Sequence, residues 1–365
     1  MQSNTTGNYN VAIGAKALYS NTTKSGLVAI GASPGDAEKN TAIGSKSLYS
    51  NTTGTNNLAC GYKALYNNIS GSNNTSMGAN SLQANNTGEW NTANGSSAMY
   101  SNTEGLKNTA TGVSALYTNT TGDYHCAFGV HALFSNSTGI KNTAVGFNAL
   151  ESNTSGSTNT ALGYYAFQSG TAYSNSTAIG YNAQVTASNM IRLGDAYISW
   201  IGGAANWSTT SDGRFKENIQ ENVAGLDFIM KHRPVTYTWN REKLSAFINV
   251  SELESAKYNT NDKKSYIGFI AQEVEEAADQ VMLQFDVVHK PENENDPYSL
   301  SYASFVVPLV KAVQELNTKN ENLNTNNQQL TNKLDRQQQL IETQQKMINE
   351  LSSRLSKLES KSLKQ

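Results

Sequence analysis

A serine and a lysine five residues apart, Ser211 and Lys216 in the stretch Trp207–Ile219 (WSTTSDGRFKENI), combine a nucleophile with a group able to act as its base. A serine hydroxyl attacks only once a base removes its proton. Lysine can supply that base if burial lowers its pKa, because desolvation disfavours the ammonium; Ser–Lys pairs are a recurring variant of triad chemistry. The spacing alone is weak ground, since a serine ahead of acidic and basic residues is ordinarily a turn or helix cap beside a solvated lysine. The four histidines, His125, His131, His232 and His289, have no metal-ligand spacing, so neither a metal nor any other cofactor is expected.

The stretch lies where the composition changes. Of the 365 residues, those before 211 hold only eight of 27 Lys/Arg and seven of 29 Asp/Glu, in a background of Asn, Thr, Ser and Gly. The net charge of -2 offers no basic field for nucleic acid. No apolar run reaches the ~18–20 residues of a membrane span. The opening MQSNTTGNYNVAIG begins inside a repeat, as a piece of a longer chain would.

That repeat is strict. Gly44, Gly61, Gly78, Gly95, Gly112, Gly129, Gly146, Gly163 and Gly180 stand seventeen apart, and Gly14 and Gly31 form an earlier pair at the same interval. Each unit reads approximately Asn-Thr-Ala-Ile-Gly-x-x-Ala-Leu-Tyr-x-Asn-x-Thr-Gly-x-x. Apolar residues precede the glycine (Ile43, Cys60, Met77, Phe128, Val145, Leu162, Ile179) and recur four places after it (Leu48 to Phe167). Short apolar pieces between turn residues exclude a helix, and no single unit could bury its apolar groups; stacked copies could. The expectation is a mainly β protein whose first part is a β-solenoid.

In each unit the second turn, Asn-x-Thr/Ser-Gly, is expected to cap backbone groups and to place its glycine at positive φ. Recurrence of the Asn-x-Thr triplets at that turn favours a structural role over glycosylation. Asn94 and Thr111 fill the usual apolar slot, a small cost if the slot faces a partner chain or water. Cys60 and Cys126, almost four repeats or on the order of 19 Å apart, are too distant for a disulfide. The second position after the turn glycine varies freely (Asn56, Asn73, Trp90, Lys107, Tyr124, Lys141, Thr158), so it reads as an exposed stripe. There Trp90 and Tyr124 could stack on sugars, or could instead cover adjacent coils.

With NSTAIGYNAQV at Asn175–Val185, this half resembles the heads of trimeric autotransporter adhesins over about residues 8–194. The resemblance implies a left-handed β-roll assembled as a homotrimer, with the small alanines beside each glycine facing the three-fold axis and the turns facing water.

The remainder has globular composition. Met190–Ser208 is expected to form a closing strand pair. GLDFIMKHRPVTYTW reads as a short helix to Lys231, ended by Pro234, and then a strand Val235–Trp239. YIGFIAQEVEEAA reads as a strand ending at Gly268 and running into a helix. From Leu309 a heptad repeat sets Leu309, Leu316, Leu323, Leu330, Gln337, Gln344, Leu351 and Leu358 at d. Val313, Asn320, Asn327, Leu334, Ile341, Ile348 and Leu355 stand at a. That pattern specifies a coiled coil, a device for collecting chains, with buried Asn and Gln fixing register. The layout is therefore a solenoid fibre over 1–194, a connector 195–210, a small α+β domain 211–308 and a coiled coil 309–360.

SDGRFKENI, followed by GLDFIMKHRPVTYTW, YIGFIAQEV and YSLSYASFVVPLVKAVQEL, resembles the intramolecular chaperone domain of phage tail spikes and endosialidases, peptidase family S74, over residues 208–318. That family cuts its own chain just before the motif serine once the trimer has formed. The resemblance implies Ser211 as nucleophile, Lys216 as general base and Thr210–Ser211 as the scissile bond. Asp212, Arg214 and Asn218 match motif positions without an assigned role. EEAADQV departs from the family pattern in lacking a proline, which bears on the loop and not on the dyad.

The implied protein is a homotrimeric fibre or adhesin, a virion tail fibre or bacterial surface appendage acting outside the cell on a receptor or glycan. Its chaperone would be a single-turnover serine endopeptidase. The alternative is a non-cleaving fibre that keeps its C-terminal domain as a trimerisation module. A membrane-tethered transcription factor released by such a domain would need a basic patch and a span that this sequence lacks, and a peptidase acting on other proteins would need a substrate pocket.

Overall fold

The computed structural model describes residues 3–14, 17–18, 21–31, 38–204, 206–248, 264–282 and 286–362. Each repeat makes one coil of a solenoid and contributes one three-residue strand. Twelve such strands, β1 (Val11–Ile13) to β12 (Ile191–Leu193), pair in parallel in chain order as a single sheet. The register is seventeen residues per coil, as in Thr92↔Thr109 and Ala93↔Ala110, except for thirteen at Val28↔Thr41 and fourteen at Thr177↔Ile191. The solenoid expectation holds.

A strand turns alternate side chains to opposite faces, and this decides what each column does. The central alanines, Ala59, Ala93, Ala110, Ala127 and Ala144 among them, are wholly buried within the single chain. So is the column four places after the ruler glycine, Leu65, Leu82, Met99, Leu116, Leu133, Leu150 and Phe167. The alanines therefore line the chain's own interior and do not face a three-fold axis. The column just before the glycine points outward instead: Met77, Phe128, Val145, Leu162 and Ile179 are all exposed in the single chain.

Two columns of buried asparagine run the length of the coil. Asn68, Asn85, Asn102, Asn119, Asn136 and Asn153 donate Nδ2–H to the Oδ1 of the coil before, the first of them to Asn51, as in Asn102→Asn85 at 2.8 Å. In the second column Oδ1 of Asn91 accepts the backbone N–H of Asn108 at 3.0 Å, while its Nδ2 donates to the Gly105 carbonyl at 2.8 Å. Buried amides are tolerated because their Nδ2 groups are paired, although the Oδ1 of Asn153 at the end of the first column has no partner. The triplet asparagines at the turn are thus structural, with no amide free for a glycan.

The two glycines divide their duties differently from the sequence expectation. Gly95 of the ruler series has φ 144°, open mainly to glycine. The turn glycine Gly105 is not at positive φ; a Cβ there would lie 2.6 Å from the Gly122 carbonyl oxygen, so close approach of backbones is what excludes a side chain. The positive φ of that turn falls two residues later, on the variable column: Trp90 at 61°, Lys107 at 56°, Tyr124 at 60° and Lys141 at 58°. A left-handed backbone costs a side-chain-bearing residue about 1–2 kcal/mol. Both cysteines are free.

Met190–Ser208 gives one strand, not a pair: β12 is followed by irregular chain in the described residues, with Trp200 and Trp207 strongly exposed. Chain contacts group Met1–Trp207, Thr238–Lys264 and Pro291–Pro297 into one unit, and Ser208–Tyr237, Ser265–Lys290 and Tyr298–Gln365 into another. In the first unit lies helix α2 (Arg241–Phe247).

In the second unit α1 (Leu226–Met230) leads to strand β13 (Val235–Tyr237), which pairs antiparallel with β14 (Tyr266–Gly268), and α3 (Ala271–Gln280) follows. A two-residue pair, β15 (Val288–His289) with β16 (Ser299–Leu300), precedes the 57-residue helix α4 (Val306–Ser362). Phe228, Val274, Ala277, Ala278, Val287 and Phe305 form the core of this unit. Glu315 of α4 accepts the Leu226 N–H at 2.8 Å and so caps α1. Beyond this core the a and d residues of α4 are exposed: Leu323, Leu330, Leu334, Ile341, Ile348 and Leu355 each show more than half their surface.

Candidate functional site: the Ser211–Lys216 pair

Asp212 starts a single 3-10 turn, Gly213–Phe215, by accepting the Arg214 N–H on its carboxylate at 2.9 Å. The Arg214 guanidinium folds back on the same carboxylate, at 2.9 Å from Nε and 2.6 Å from a terminal nitrogen. This ion pair holds the Asp212 carboxyl below the usual carboxylate range. The arginine also lies over the Phe215 ring, 5.7 Å from its centroid. One turn bounded by Ser211 and Lys216 brings their side chains to the same side.

There Lys216 Nζ donates to Ser211 Oγ at 2.7 Å. The distance is one at which a proton could pass between nucleophile and base. Thr210, Ser211 and Lys216 are all exposed in the single chain, as are the neighbouring Phe215 and Ile219 at 75% each. Asn218 adopts φ 50°, a left-handed position that asparagine enters readily and that turns the chain away after the pair. Asp212 and Arg214 thus order the turn, and Asn218 its exit.

Trp90 and Tyr124 do not join this pair; they stand on the solenoid, 57% and 51% exposed. The sequence reading does not single out Lys107, yet its Nζ lies 5.2 Å from the Tyr124 ring centroid. Its membership of the same variable column was the available signal.

Residues 211–283 match the family model described as chaperone of endosialidase, Peptidase_S74. The chain therefore carries an S74-type chaperone domain over those residues, behind a parallel β-solenoid. Such domains are trimerisation modules, and their role is that of a trimerising, self-cleaving chaperone. The match begins at Ser211 itself. Searches of curated proteins and of solved structures gave no match. Among the described residues no helix is long and apolar enough to cross a membrane.

Proposed function

We propose that the chain is one strand of a homotrimeric attachment fibre whose C-terminal chaperone drives trimerisation and then cuts the bond between Thr210 and Ser211. The observation that supports this most is the 2.7 Å approach of Lys216 Nζ to Ser211 Oγ at the first residue of the chaperone match. In this reading neutral Lys216 takes the hydroxyl proton and Ser211 Oγ attacks the Thr210 carbonyl carbon. The Thr210–Ser211 C–N bond then breaks, with the proton passing to the departing nitrogen. The resulting ester is hydrolysed by water, leaving a carboxylate on Thr210, a new amino terminus on Ser211 and the hydroxyl restored. Residues 1–194 and the connector 195–210 remain as the fibre; 211–308 and the coiled coil 309–360 are released.

Exposure of the pair in one chain supplies the control. Lysine serves as a base once desolvation favours its neutral form. Partner chains covering Phe215, Ile219 and the pair would desolvate the amine, so cleavage would follow assembly. The fibre itself would act outside the cell, as a virion tail fibre or bacterial surface appendage binding a receptor or glycan.

A denaturing gel of the expressed chain tests the reading. Wild type should give two fragments with a new amino terminus at Ser211, and Ser211→Ala one full-length band. Lys216→Arg, which keeps a donor but cannot lose its proton, should also remain uncut. A wild type that stays full length would replace this reading with that of a fibre retaining its trimerisation module.

A further inference from the structure

The variable column carries more than its exposure. In other coils the same left-handed position holds Lys39, Asn56, Asn73, Thr158 and Asn175, so the conformation belongs to the coil whichever residue occupies it. Over four successive coils it holds Trp90, Lys107, Tyr124 and Lys141 at nearly the same φ. Left-handed residues elsewhere in these coils, such as Leu82, Met99, Leu116 and Leu133, are wholly buried, so core packing offsets their strain. Trp90 and Tyr124, by contrast, are more than half exposed. Large aromatic rings kept exposed, on a column where small polar residues serve other coils, point to use of the side chains.

Backbone bonds fix the order of the four: Lys107 N–H donates to the Glu89 carbonyl and Lys141 N–H to the Asp123 carbonyl, at 2.9 Å each. Parallel strands stack at about 4.8 Å, so the two rings stand about 10 Å apart with one lysine between them and the other a coil beyond. Lys107 lies against the Tyr124 ring, making the strip continuous. Neither Lys107 nor Lys141 forms an ion pair among the described residues. Of the flanking carboxylates, Asp123 is turned to the backbone, accepting the Leu106 N–H at 2.7 Å, and Glu89 is half-buried.

We propose that this strip binds a linear acidic oligosaccharide laid along the solenoid axis, with pyranose faces on Trp90 and Tyr124 and anionic groups of alternate rings on Lys107 and Lys141. Aromatic faces take the apolar side of a sugar, and an unpaired lysine at every second coil suits a charge on every second ring. The proposal deepens the attachment reading and is independent of self-cleavage.

The test uses the full-length Ser211→Ala chain, so that a failure of self-cleavage leaves it unaffected. Calorimetric titration with hexasaccharides of hyaluronan (a carboxylate on alternate rings), of chondroitin sulfate and of neutral maltose separates the contributions. At least one acidic hexasaccharide should bind, weakened by salt, and the neutral one about tenfold or more weaker. Lys107→Gln with Lys141→Gln should remove that preference. Trp90→Asn and Tyr124→Asn should abolish binding while the melting midpoint stays level or rises, because asparagine is at ease at this φ. Absence of binding by both acidic probes, or equal binding of the neutral one, overturns the proposal. So does a lowered midpoint in the asparagine variants, which would mean that the rings serve to cover the coils.

Discussion

In the buried column that runs Asn91, Asn108, His125, Asn142, the histidine reproduces the bonds of the residue it replaces. Its Nδ1 accepts the Asn142 N–H at 3.2 Å, as an asparagine Oδ1 would, and its Nε2 faces the Gly139 carbonyl at 2.6 Å, as Nδ2 would. That pattern needs the neutral ring protonated on Nε2. Burial lowers its pKa from 6.5 to about 4, against smaller opposing contributions from the Gly139 and Asn142 backbone and from Asp123. The unfolded chain takes up a proton at the ordinary value and the folded chain only at the lower one. Stability is therefore complete above pH 6.5 and falls as the pH drops towards 4, by about 3 kcal/mol per chain in all. His125→Asn should flatten this slope; melting midpoints at pH 7.5 and 4.5 that shift equally in wild type and variant would refute the assignment. Nothing in the sequence marks His125 as part of the ladder except its place in the seventeen-residue ruler. Ser211 and Lys216 were legible from type and neighbourhood, whereas their hydrogen bond depends on a turn that Asp212 nucleates by its own backbone bond, and their exposure depends on packing that no spacing encodes.

A coil of this solenoid was readable because each position recurs at one interval, so sequence columns are structural columns. The sense of each column was less so. Strand alternation puts Ala110 inside and Thr111 outside, and only contacts within one chain reveal that the alanines fill its own interior. The turn glycine likewise follows from a neighbour: Gly105 is set by the approach of the Gly122 backbone, an event seventeen residues away, and not by its own φ. Two variants separate these effects. Gly105→Ala adds one methyl where the next coil already stands and should cost about 1–3 kcal/mol through overpacking. Leu116→Ala opens a cavity in a wholly buried column and should cost about 3 kcal/mol. Both should lower the midpoint of thermal unfolding, and a Gly105→Ala chain as stable as wild type would show that adjacent coils can part at the turn without cost.

Taken singly, the chain leaves two long apolar surfaces uncovered: the column ahead of the ruler glycines on the solenoid, and the a and d seam of α4. Helix α4 holds few contacts beyond its first turns, and a solvated helix of 57 residues with leucine and isoleucine at heptad spacing would gain its stability by winding with copies of itself. Local helical pairing is fast, whereas stacking twelve parallel strands closes many loops and is slow. Early pairing of α4 would therefore bring the chains together before their strands can join wrong edges. The full-length Ser211→Ala chain should sediment at three times its 39.4 kDa mass. Replacing Leu323 and Leu330 together by Asp should yield single chains and, in a background with Ser211 intact, no cleavage. A double variant that sediments as separate chains yet still cuts at Ser211 would uncouple chemistry from assembly, since the lysine would then lose its proton without the cover of a partner.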